Sequence, residues 1–185
     1  MRILQLYPVG EYEFISTVDE DDLELVGELD ATSRTADWSP VEVRIFSEDD
    51  DTGAPLQRAD FPWLGSWALV LRDRAIDLAG PVLAPFGEFL PLTCADAAVT
   101  CFNGLELIDA LDESRSQIVR FPSSGRIMAI EKHGFRPEMI PERSVFKIPQ
   151  EQLGPLFYTE PVVDDLRALG LTGLDFRLVW DSDGM

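Results

Sequence analysis

The chain has 185 residues, with 34 Asp and Glu against 15 Lys and Arg, a net charge of −19 and a pI near 4.2. Hydrophobic residues make up 45%, enough for a packed core, so the chain is not a disordered acidic tail. The negative field disfavours nucleic acid and anionic membrane as partners and favours basic protein surfaces.

In chain order, Arg2 to Tyr7 alternates and stops at Pro8, which predicts a strand at a sheet edge. Residues 10–37 are acidic, and the spacing of Leu23, Leu25, Val26 and Leu29 fits strand and helix equally. Val41 to Phe46 alternates cleanly and predicts a strand with one wet face. Ser47 to Gly53, with Glu48, Asp49, Asp50 and Asp51 in a row, predicts a solvated loop. Phe61, Trp63 and Trp67 form an aromatic hinge, read as core or seam in preference to a ligand cage.

Asp73 is placed to cap a helix carrying Ile76, Ala79 and Leu83, which Pro81 should shorten or kink. Glu88 to Leu92 and Ala97 to Phe102 read as extended. Ser123-Ser124-Gly125 is a turn, and Arg126 to Phe135 alternates with apolar residues on both faces, as a central strand would. Ser144 to Pro149 and Leu156 to Thr159 are further strand candidates. Thr159 and Pro161 open a helix with Val162, Leu166 and Leu169 on one face. Gly170 ends it and Leu174 to Trp180 returns as a strand. The fold class expected is α+β, a mixed, mainly antiparallel sheet with a few short helices.

Little of the chemistry-bearing content converges. His133 is the only histidine, too isolated for the common zinc sets or for general base work with a neighbour in sequence. Glu106, Asp109, Asp112 and Glu113 precede Ser114 and Ser116 with no histidine nearby to activate a serine. Cys94 and Cys101 read as buried reduced thiols. The acidic runs Asp19, Glu20, Asp21, Asp22 and Glu48, Asp49, Asp50, Asp51 lack the glycine and terminal Glu of an EF-hand loop. Phosphate-binding glycine loops are absent. No catalytic residue, metal ligand or cofactor is therefore expected. The start of the chain has no apolar leader stretch and no run reaches the ~20 apolar residues of a membrane span, so a cytoplasmic protein is expected.

Four segments occur in a recognisable order: Leu83 to Leu92, Ala110-Leu111-Asp112 with a following serine, Val145-Phe146-Lys147-Ile148-Pro149, and Leu169 to Phe176. Together they resemble a bacterial family first catalogued as a domain of unknown function and later grouped with polymorphic-toxin immunity proteins, as immunity protein family 11. The resemblance spans about residues 61–180. It implies a cytoplasmic protein that binds and neutralises a cognate toxin, without enzymatic activity or cofactor. The chain then divides into an acidic N-terminal lobe or sheet extension, residues 1–60, and an immunity-protein-like α+β core, residues 61–185. Residues 1–60 hold 16 acids and 4 bases against 18 and 11 in the remainder. The two acidic runs are thus the expected partner-binding residues, facing a basic toxin surface such as that of a nuclease. Two alternatives remain: an acidic DNA mimic or regulatory binding protein, and an enzyme with a dispersed carboxylate site.

Overall fold

A computed structural model describes residues 1–184. Twelve strands and three α-helices are formed among them, an α+β fold whose sheets are mixed and mostly antiparallel. The strands are β1 (Arg2–Tyr7), β2 (Phe14–Thr17), β3 (Val41–Phe46), β4 (Leu69–Arg72), β5 (Gly87–Thr93), β6 (Val99–Gly104), β7 (Glu106–Leu107), β8 (Gln117–Arg120), β9 (Ile127–Lys132), β10 (Val145–Lys147), β11 (Phe157–Thr159) and β12 (Asp175–Asp181). The helices are α1 (Glu20–Gly27), α2 (Arg74–Leu83) and α3 (Glu160–Ala168).

A first sheet has the order β12-β1-β11-β10-β7 and a second the order β2-β3-β5-β6-β4, while β8 and β9 form a separate two-stranded ribbon. Alternation along each strand sends side chains to opposite faces, so the two sheets organise three layers of core. Leu4, Leu6, Tyr158 and Val145 of the first sheet meet Leu69, Leu71 and Phe102 of the second, together with α2 and α3. On the far side of the second sheet, Ile15, Val41, Val43, Leu90 and Cys101 pack under Val26 of α1 and Leu29. On the far side of the first sheet, Ile3, Phe146, Phe157 and Trp180 pack under Ala110, Phe135 and Ile140.

Two expectations change. The β1 strand is not an edge; it lies between β11 and β12, and its apolar residues on both faces are buried. The alternation of Arg126 to Phe135 does not make a central strand either, because β9 pairs only with β8. A register shift skips Met128, so Ile127 and Ile130 both cover the third core layer while Met128 stays in solvent. The edge of the first sheet falls instead to β12. A bulge opposite Ile3 and Leu4 inserts Val179, so that Phe176 and Trp180, four residues apart, point into different core layers.

The capping expectations change as well. Asp73 and Thr159 occupy the N-cap positions of α2 and α3, yet neither side chain caps its helix. The Asp73 carboxylate accepts from the Ala98 amide at 3.0 Å, and the Thr159 hydroxyl accepts from the Ser144 amide at 3.0 Å. Both use the side chain to tie a helix start to a neighbouring strand or loop. Pro81 does not end α2, which runs on to Leu83 with Ala75, Ala79 and Leu83 buried at i, i+4, i+8.

Residues 1–60 are distributed over both sheets, β1 inside the first and β2 and β3 at the margin of the second. The C-terminal loop fastens them further. Thr172 accepts from and donates to Asp60, and the Phe61 amide reaches the Thr172 carbonyl at 3.1 Å. Gly173 makes this approach feasible. Its φ is 89°, and a Cβ there would stand 2.6 Å from the Phe61 carbonyl oxygen.

Candidate partner-binding face

The first acidic run is the start of a helix. Asp19 is extended at the N-cap of α1 and its carboxylate accepts from the Asp21 amide at 3.0 Å. Glu20, Asp21 and Asp22 fill the first turn, where negative charge complements the helix dipole. Four of the eight predicted residues therefore have a local reason to be acidic.

That reason ends one turn later. Glu24 sits in the second half of α1 and Glu28 is its C-cap, where the dipole disfavours an anion, and no base occupies the last turn. Glu20, Glu24 and Glu28 recur at i, i+4, i+8, a spacing at which like charges repel by about 0.2–0.5 kcal/mol per pair. None of the three makes an ion pair within the described residues, and all are exposed. Only Val26 of the helix is buried, while Leu23 and Leu25 stay 40% and 42% exposed. The helix thus presents a stripe of unpaired carboxylates flanked by uncovered leucines, at a cost to its own stability.

The second run folds as a tight turn. Asp49 accepts from the Thr52 amide at 2.8 Å and its hydroxyl at 2.6 Å, and this hydroxyl contact holds the carboxyl below its usual range. Glu48 bridges to Pro55, and Asp50 and Asp51 are exposed. The structure does not bring the two runs together. Thr17 pairs with Val43 and Phe14 with Phe46, so Asp19–Asp22 and Glu48–Asp51 leave opposite ends of the β2–β3 pair. At ~3.3 Å per residue the strands alone hold them about 10 Å apart.

A polar clasp, not legible in the sequence, fixes the segment after α1. Glu88 of β5 accepts from the Arg34 amide at 2.6 Å and from the hydroxyls of Ser33 and Thr35. Asn103 of β6 donates to Glu88 and to the Thr32 carbonyl. Burial pushes the Glu88 carboxyl up, but the Arg34 amide and the surrounding hydroxyls outweigh it and bring it down to about 2. Nearby, the fully buried Lys147 donates to the Leu29 carbonyl. Burial lowers its ammonium to about 8, against the opposing pull of Asp30. Ala31, between these anchors, is held at a φ of 67°. Glu88, Asn103 and Lys147 lie on strands far along the chain, so no local pattern marks them.

The other candidates resolve into structure. His133 contacts Glu151 through Nε2 at 2.8 Å and stacks on Phe135 with ring centroids 5.7 Å apart. A carboxylate only accepts, so Nε2 carries the proton. The contact spans 18 residues, which hid the pair from sequence reading. Phe61, Trp63 and Trp67 pack into the two core layers that flank the second sheet. Asp112 accepts from Ser114, Glu106 from Ser144 and Asp109 pairs with Arg136. Cys101 is buried, which pushes its thiol up to about 12, whereas Cys94 is half-buried.

An open cleft of about 410 Å³ does hold two carboxylates, Asp60 and Asp73, beside Arg58, Arg74 and Thr172. Each is paired, Asp60 with Arg74 at 2.7 Å and Asp73 with Arg58 at 2.5 Å. The Arg74 hydrogen bonds bring Asp60 down to about 2 despite its burial, so it is not a proton donor near neutrality. Among the described residues no three His, Cys, Asp or Glu side chains group to hold a metal ion, and no helix is long and apolar enough to cross a membrane. No family model matches the chain, and no curated protein matches it.

Proposed function

We propose that the protein is an immunity protein, which binds and neutralises a cognate bacterial toxin in the cytoplasm by laying the acidic face of α1 on a basic toxin surface. The ordered segments that resemble immunity protein family 11 support this reading, as does the chemistry of α1. The observation that carries it is the helix itself. Glu20, Glu24 and Glu28 form an unpaired, exposed stripe flanked by Leu23 and Leu25, and the last two charges work against the helix that bears them. An unpaired acidic stripe steers encounter with a basic surface, and the exposed leucines on its flanks add apolar contact area. The Glu48–Asp51 turn lies at the other end of the β2–β3 pair and is a secondary contact at most.

Co-expression tests the proposal. The protein is produced together with the C-terminal domain of the protein encoded by the adjacent gene, in cells that this domain alone arrests. Growth should be restored and the two chains should co-purify. Arrest that persists at matched expression, with no co-purification, would refute it.

A further inference from the structure

On the outer side of the first sheet lies an open cleft whose wall is opposite in sign to the rest of the molecule. Its volume is about 540 Å³, within the range of small-ligand sites. One wall carries Arg115, Lys132 and His133, from the segments flanking the β8–β9 ribbon. The other is apolar and comes from β12, with Leu178, Val179 and Trp180. The β12 bulge falls in this second wall, and bulges are frequent beside binding sites. Asp181, the one acid among the described lining residues, is held by Arg2 at 3.0 Å.

Two polar groups in the cleft are left open. Lys132 is exposed and its ammonium makes no ion pair or hydrogen bond among the described residues. The His133 side chain is only 11% exposed and is fixed on three sides. It stacks on Phe135, meets Phe157 edge-on at 5.0 Å, and gives the Nε2 proton to Glu151. Nδ1 has no partner among the described residues, yet it is not sealed from solvent. With the proton on Nε2, Nδ1 is a hydrogen-bond acceptor of fixed orientation. The same His133, with Lys132 and Val179, also lines a second, narrower opening beside Glu131 and Glu151.

We propose that this cleft binds a small organic anion with an apolar body, either a carboxylate or a phosphate monoester. The anionic group faces Lys132, with Arg115 beside it, shared with Asp112 at 3.5 Å. An N–H or O–H of the body donates to His133 Nδ1, and Leu178, Val179 and Trp180 receive its apolar surface. Glu131 and Glu151 keep the anionic end out of the narrower opening. The net charge of the protein does not forbid such a ligand, because exposed charges are largely screened beyond about 8 Å at physiological salt. The local balance is the reverse of the global one: residues 115–136 hold five of the fifteen bases and only one of the 34 acids, Glu131. The inference stands apart from the toxin, since α1 covers the outer side of the second sheet and the cleft lies on that of the first.

Calorimetric titration of the full chain without toxin tests the proposal, with indole-3-acetate as the carboxylate probe and adenosine 5′-monophosphate as the phosphate probe. At about 150 mM salt at least one should bind with a Kd of about 1 mM or tighter. The one that binds identifies the anionic group. Its neutral counterpart, indole or adenosine, should bind about tenfold more weakly or not at all. Lys132→Met should weaken the bound probe about tenfold and leave the melting temperature unchanged, because Lys132 is exposed. His133→Phe keeps a ring between Phe135 and Phe157 and should weaken binding by a similar factor. In amide NMR spectra the probe should shift Lys132, His133 and Val179 and leave α1 unmoved. Absence of binding by both probes at about 1 mM overturns the proposal. So does a Lys132→Met protein that binds as tightly as the wild type, or a set of shifts centred elsewhere.

Discussion

At the scale of single residues, two polar groups of this protein make stability rise with pH, in two separate windows. The folded protein holds Glu88 at about 2, below its ordinary 4.5. Its contribution is therefore complete above about pH 4.5 and is lost as pH falls toward 2. Glu88→Gln should lower stability by on the order of 2–3 kcal/mol at neutral pH, and the loss should shrink below pH 4. Urea titrations at pH 7 and pH 3 measure this. Lys147 acts in the same direction at higher pH. Its folded value, about 8, lies below the ordinary 10.5, so the unfolded chain holds a proton that the folded protein gives up between those limits. Stability gains a rising component with pH across that window. The Cys101 thiol, raised from 9.0 to about 12, opposes it above pH 9, so the comparison is between wild type and Lys147→Met. The difference in stability between them should narrow or reverse in favour of the wild type from pH 8 to pH 10; parallel curves would remove Lys147 from the account. None of these groups was legible in the sequence. Glu88 lies more than 50 residues from Ser33, Arg34 and Thr35, and Lys147 is 118 residues from Leu29. Their roles depend on which strands become neighbours, which local pattern does not encode.

At the scale of elements, periodicity identified most strands and the C-terminal helix, because their buried faces repeat at 2 or 3.6 residues. It failed where side chains serve something beyond the element. Thr159 and Asp73 have the residue types of caps, but their oxygens bond to Ser144 and Ala98. The Asp19–Asp22 run read as a docking patch, whereas its first purpose is to begin α1, and the acids that need a partner to explain them are Glu24 and Glu28. The Leu169 to Phe176 segment was recognisable as a helix stop followed by a strand. Its glycines had a further purpose that only the fold reveals, since Gly173 admits the Phe61 carbonyl. Gly173→Ala should destabilise the protein by about 1–3 kcal/mol through its positive φ and that clash. Gly170→Ala, also at positive φ (63°) but with nothing within 4 Å, should cost less. Thermal melts of the two variants check the order, and equal losses would mean that the close approach is unimportant.

At the scale of the molecule, the acidity is a surface property laid over a core that runs through the whole chain. Residues 1–60 hold most of the excess charge, yet they supply β1 to the interior of one sheet and β2 and β3 to another. The charged surface and the scaffold therefore share the same two sheets. Composition announced the negative field but not its division into two poles: α1, whose carboxylates lack partners, and the β8–β9 ribbon, where bases collect. That division arises because a helix and a hairpin, each unremarkable in sequence, leave their charged sides uncovered. The central claim is that α1 is the surface the toxin meets. Its most direct test is the association rate of the toxin domain with wild type and with Glu20→Gln/Glu24→Gln/Glu28→Gln, at about 25 and about 300 mM salt. The account predicts association about tenfold slower for the variant at low salt, with the difference fading at high salt as screening removes the steering. Equal rates and equal salt dependence for the two proteins would contradict it.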